Sequence, residues 1–127
     1  MELEFLNLEE PCSAPYSDMV RVNDRMLFLS GLVSEDLVTG ELVAGDITVQ
    51  TRQVLENLAV ILEKYGSDMD HVVRMEVVLT DYAQCAAMNQ EYMKHFAPDH
   101  RPSRICYGGV ELYEGCLIEI MATAVKK

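Results

Sequence analysis

The sequence predicts an α+β fold, a mixed β-sheet carrying two helices on one side, and three observations support that reading. From Ile47 onward apolar residues recur every three or four positions, the period of an amphipathic helix. Over residues 72–80 they alternate with polar ones, the period of a half-buried strand. The elements follow the order β-β-α-β-α-β-β, and helices spaced among strands in this way layer onto one face of the sheet.

Residues 17–22 and 26–30 flank Asn23-Asp24, a turn-forming pair, and are expected to form a hairpin. A further short strand is expected near Leu42. The first helix places Ile47, Val54, Leu55, Leu58, Ile61, Leu62 and Tyr65 on one face, with Gln50, Arg52, Gln53, Glu56, Glu63 and Lys64 mostly on the others. Asp46 is its N-cap and Gly66 its left-handed terminator. In the strand that follows, Val73, Met75, Val77 and Leu79 share one face, and Arg74 and Glu76 the other.

Asp81 caps a second helix, expected over residues 82–96, whose Cys85, Met88, Tyr92 and Phe96 face the sheet. Pro98 and Pro102 end it and lead, extended, into a strand at 103–107. Gly108-Gly109 marks a bend, and residues 116–125 form a long strand so apolar that burial on both faces is expected.

No repeat, low-complexity tract or linker interrupts the 127 residues, which read as one domain over 1–127. A folded chain of 14.3 kDa exposes roughly 6,800 Å². Two helices cannot cover both faces of such a sheet, so a second copy of the chain is the expected cover, giving a homo-oligomer.

Ten Lys and Arg stand against 21 Asp and Glu, a formal charge of −11. The basic residues are scattered singly, so no nucleic-acid partner and no anionic membrane surface is expected. The N-terminus is acidic and without a long apolar run, which points to a cytoplasmic location. Cys12, Cys85, Cys106 and Cys116 show no C-x-x-C spacing, and His71, His95 and His100 form no ligand pair on one helical face, so neither a disulfide framework nor a metal site is expected.

Glu119 is the only charge within residues 116–125. Either it points to water at a sheet edge or it opens onto a wet cleft, since an isolated buried carboxylate is costly. Arg104 offers a planar fork that grips a carboxylate, which suits a small organic acid; the bland alternative is a surface ion pair, and Arg101 competes for the same role. Cys106 shares the strand face of Arg104, but with no base placed beside it, it reads as a packing residue whose backbone amide matters more than its sulfur. Ser30-Gly31 ends a strand where a ligand could approach the backbone, or is simply a turn. Tyr16 could cover a pocket or pack in a core or interface, and Asn89, mildly unfavourable in mid-helix, hints at a specific hydrogen bond.

Several short segments, in order and spacing, carry a resemblance: Pro15-Tyr16-Ser17, Phe28-Leu29-Ser30-Gly31, Thr39-Gly40-Glu41-Leu42-Val43, Gln50-Thr51 with Asn57-Leu58, Asn89-x-x-Tyr92, Arg101-Pro102-Ser103-Arg104 and Ile118-Glu119-Ile120. Together they resemble the RidA/YjgF family of reactive intermediate deaminases. That resemblance implies a chorismate-mutase-like sandwich, assembled as a homotrimer with clefts between subunits, and no cofactor. It also implies hydrolysis of 2-imino or enamine acids, such as 2-iminopropanoate and 2-iminobutanoate, to 2-keto acids and ammonia.

By the same resemblance, Arg104 would clamp the substrate carboxylate and Glu119 would orient or deprotonate water. Ser30, Gly31 and the Cys106 backbone would line the cleft, with Tyr16 and Asn89 covering it, partly from a neighbouring chain. Asp18, Leu32 and Met121 depart from the family pattern, as does Gly108-Gly109, and bear on which imine is preferred. The alternative reading is a trimer that binds a small carboxylate metabolite without catalysis; an endoribonuclease or translation inhibitor is a third reading, disfavoured by charge.

Overall fold

Asn23 and Asp24 both take positive φ, 53° and 52°, the pair that a two-residue hairpin turn requires. Strand β2 (Met19–Val22) therefore folds back, antiparallel, on β3 (Met26–Leu29). The computed structural model describes residues 1–127 and adds a strand that the sequence did not announce, β1 (Leu3–Leu6), paired antiparallel to β2. Its glutamates conceal it: Glu4 reads as part of an acidic tail, yet its carboxylate pairs with Arg21 across the ladder at 2.8 Å.

Helix α1 (Ile47–Lys64) begins where Asp46 accepts a hydrogen bond from the Val49 N–H at 2.9 Å, and ends at Gly66, whose φ is 83°. Val54, Leu55, Leu58 and Leu62 are wholly buried, as their spacing predicts. Gln50, placed on the polar side by the sequence, is buried instead. Its Oε1 accepts from the Leu117 N–H and its Nε2 donates to the Gly45 carbonyl, both at 2.9 Å, so the amide satisfies loop backbone that the core has closed off from water.

Strand β4 (Val72–Leu79) buries Met75, Val77 and Leu79 beneath the helices, but Val73, expected on their face, is exposed and Val72 is buried instead, because the register shifts between Val72 and Arg74. The expected helix over 82–96 is divided into a 3-10 turn at Tyr82–Gln84, helix α2 (Cys85–Tyr92) and a second 3-10 turn at Met93–His95. Asp81 caps the first turn through the Ala83 N–H, not an α-helix directly. Met88, Tyr92 and Phe96 are nevertheless buried against the sheet, and Cys85 is half-buried.

Strand β5 (Ser103–Tyr107) runs parallel to β4 at the sheet edge, and β6 (Ile118–Val125) lies antiparallel between β3 and β4. The six strands take the order β1-β2-β3-β6-β4-β5, a mixed sheet with both helices on one face. Near Leu42 there is only a single bridge to Glu35 rather than a strand. The expectation that β6 is buried on both faces fails: Ile118, Ile120, Ala122 and Ala124 are buried under the helices, whereas Met121, on the opposite face, is 44% exposed. Two helices shield one face only. The chain exposes 7274 Å², somewhat above the roughly 6,800 Å² typical of its mass, in keeping with that bare face.

Candidate active site

Strand register decides which of the candidate residues can meet. Arg104 pairs with Met75, which pairs with Ala122, and Cys106 pairs with Val77, which pairs with Ile120. These partners are core residues, so Arg104 and Cys106 belong to the helix side of β5. Glu119 pairs with Val78, which pairs with Tyr107, and so belongs to the bare face. Within one chain Arg104 and Glu119 project from opposite faces of the sheet, so a single chain does not bring the two side chains together.

Arg104 is held where α2 meets the edge strand. Its Nη1 donates to Asn89 Oδ1 at 2.7 Å, and its guanidinium lies 4.8 Å above the ring of Tyr92. No carboxylate lies within ion-pair distance of it, although the chain has 21 of them. The surface-ion-pair alternative is therefore not the one realised. The mid-helix Asn89 makes the specific contact anticipated for it, and its Nδ2 also points toward Cys85 Sγ at 3.6 Å.

Cys106 Sγ lies 3.9 Å from Cys85 Sγ. Burial, followed by the neighbouring Cys85, pushes the Cys106 thiol up to about 11, which leaves almost no thiolate at neutral pH. This fits the packing role inferred for it. Asn89, Tyr92, Met93, Arg101, Pro102 and Arg104 together line an open cavity of about 340 Å³. Tyr92 and Arg101 are members that periodicity did not assign to a site: Tyr92 reads as a core residue of α2, and Arg101 as a rival to Arg104 rather than its neighbour. Tyr92 is 5% exposed, and burial, only partly offset by the Arg104 charge beside it, pushes its hydroxyl up to about 12.

A second group forms on the bare face. Leu32 and Ile120 exchange backbone hydrogen bonds of 2.7 and 2.9 Å, which draws Ser30-Gly31 alongside β6. Gly31 is required there, because a Cβ on it would overlap the Glu119 carboxylate. Ser30 is fixed by its hydroxyl, which donates to the Ser17 carbonyl at 2.7 Å. Glu119 is half-buried and burial alone raises its carboxyl above the ordinary 4.5. Tyr16 stands 58% exposed on the loop before β2 and its side chain makes no hydrogen bond, so it joins neither group within the chain.

A further cavity of 350 Å³, between the N-terminal loop and residues 35–40, is lined by Glu9, Asp18, Glu35 and Asp36. Burial, then Asp18 and Glu9, raise the Glu35 carboxyl. Four acids would repel an anionic substrate, so the arginine cavity is the better site for a carboxylate.

A family described as endoribonuclease L-PSP matches residues 8–126. A RutC family protein of Pyrococcus horikoshii is 40% identical over 113 residues, 89% of this chain and 88% of that protein. A 2-iminobutanoate/2-iminopropanoate deaminase of Mus musculus is 37% identical over 112 residues, 88% of this chain and 82% of that enzyme. Among solved structures, yeast Mmf1 superposes with a TM-score of 0.87 at 30% identity, covering 99% of this chain and all of its own.

Proposed function

The chain belongs to the RidA/YjgF family, the one described as endoribonuclease L-PSP, and from that membership and the arginine cavity we propose that it hydrolyses short 2-imino acids to 2-keto acids and ammonium. The observation that carries the reading is Arg104, a guanidinium without a carboxylate partner, oriented by Asn89 and Tyr92 at the mouth of a small cavity. Such a fork grips a carboxylate and presents the adjacent iminium carbon in a fixed direction. Water adds to that carbon as Glu119 takes its proton. Glu119 then returns that proton to the amine of the carbinolamine, the C–N bond breaks as the hydroxyl gives up its proton to form the keto group, and the departing ammonia takes up that proton as ammonium. The iminium is electrophilic already, so no covalent nucleophile is needed, which suits the protonated state of Cys106.

Since Arg104 and Glu119 lie on opposite faces of one sheet, the working cleft in this proposal forms between copies in a homotrimer. The β5 edge of one chain brings Arg104 and Asn89. The neighbouring chain brings Ser30, Gly31 and Glu119, with Tyr16 covering the cleft. The location that goes with this role is the cytoplasm.

Arg104→Ala and Glu119→Gln should each fold yet lose at least about a hundredfold in turnover of 2-iminopropanoate formed in situ. Co-refolding the two inactive variants should restore a measurable fraction, because some clefts regain both groups. Undiminished turnover in Arg104→Ala would sink its role, and no recovery on mixing would place both groups in one chain.

The separation of the two residues also favours a second reading, binding of a 2-keto acid without hydrolysis; pyruvate would then bind saturably while imine decay stayed at its uncatalysed rate. An RNA substrate is the poorest fit, since a charge of −11 opposes the phosphate backbone.

A further inference from the structure

Arg101 enters the cavity beside Arg104, and neither guanidinium has a carboxylate partner. Two like charges lining one small cavity repel each other unless a ligand of opposite sign settles between them. In a chain with a surplus of eleven acids, Arg101 still makes no ion pair: Asp99, two residues before it, pairs with His100 instead. Pro102 holds the backbone between them extended, so the pair is spaced rigidly. Tyr92 also lines this cavity, its ring 4.8 Å beneath the Arg104 guanidinium, which fixes the direction of that charge.

A monocarboxylate needs one such fork. Two guanidiniums carry one positive charge more than the single carboxylate of 2-iminopropanoate neutralises. A dianion also pays more to approach a chain of net charge −11, so its capture depends on the local compensation that a second arginine supplies.

From this cavity we infer that the protein selects 2-imino acids bearing a second carboxylate, with Arg104 on the 1-carboxylate and Arg101 on the distal one. The inference rests on the deaminase reading, and names its substrate class.

The test compares 2-iminosuccinate with 2-iminopropanoate, generated in situ from aspartate and alanine by amino-acid oxidases, for the wild-type protein, R101A and R101K. The wild type should prefer the dicarboxylate. In R101A the ratio of kcat/KM values, dicarboxylate over monocarboxylate, should fall about tenfold, through KM, as expected for one charge-assisted contact at an exposed position. R101K, which keeps the charge, should recover much of it. An unchanged ratio in R101A, or a wild type that prefers 2-iminopropanoate, overturns the inference while leaving the deaminase reading standing. If neither imine is turned over, the deaminase reading fails, and calorimetry decides the cavity's ligand separately. Oxaloacetate binding more tightly than pyruvate, with the difference lost in R101A, upholds the dicarboxylate assignment, and equal affinities reject it.

Discussion

Glu119 and Glu91 are two glutamates withdrawn from water whose surroundings drive them in opposite directions. Glu119 has no hydrogen-bonding partner and burial raises its carboxyl above 4.5. A carboxyl that holds its proton more tightly when folded contributes stability that is fully present below the unfolded pKa and is lost as pH rises through the folded one. At neutral pH its charge is therefore a cost. Glu119→Gln should melt about 1–3 °C higher than wild type at about pH 7.5 and show no gain at about pH 4, as followed by thermal unfolding. Loss of activity with a gain in stability is what a strained functional group gives, whereas a merely structural glutamate would lose both. The sequence singled out Glu119 as the lone charge of β6 and left open which face it takes; its lack of a partner was not legible either, because that depends on Gly31, 88 residues earlier in the chain and brought in by the Leu32–Ile120 bridge.

At the level of elements, Glu91 ties α2 to α1. Its side chain is 3% exposed, accepts from Arg52 Nη2 at 3.1 Å and meets His95 Nε2 at 2.7 Å. Burial pushes its carboxyl up, but the hydrogen bonds from His95 and Arg52 together outweigh that and hold it below 4.5. The stabilisation is complete above the ordinary value and is lost as pH falls through the depressed one. Removing the carboxylate in Glu91→Ala should cost about 1–3 kcal/mol in urea unfolding at neutral pH, at the lower end because Arg52 can turn to water. The penalty should shrink below about pH 4. Since α2 also carries Asn89 and Tyr92, the same variant should loosen the grip on Arg104. The two helices and five of the six strands were readable from periodicity, turn residues and apolar runs. The division of residues 82–96 into three pieces and the existence of β1 were not, because neither depends on local pattern: β1 exists by pairing with β2, and its glutamates mask the alternation of Leu3 and Phe5.

For the whole molecule, the decisive feature is the bare face of the sheet. Phe5, Phe28, Ile105, Tyr107 and Met121 are each at least 40% exposed, and strand parity puts them on the face without helices. An apolar area of this extent is what an interface between copies covers. Phe28→Asp should leave the far-UV spectrum unchanged, shift the sedimentation coefficient to that of a monomer and abolish imine hydrolysis. A variant that stays assembled and active would argue against this face as the interface and against clefts that depend on it.

The sequence by itself determined the fold class, the helix and strand periods, the caps at Asp46 and Gly66, the unfavourable charge for phosphate partners and the family to which the chain belongs, since each rests on local spacing, composition or ordered short motifs. Only the tertiary structure decided that Arg104 and Glu119 face opposite ways, that Arg101 and Tyr92 share the cavity of Arg104, and that Glu119 goes without a partner. These follow from which strands lie side by side and in what register, and a one-residue change of register would move every side chain to the other face.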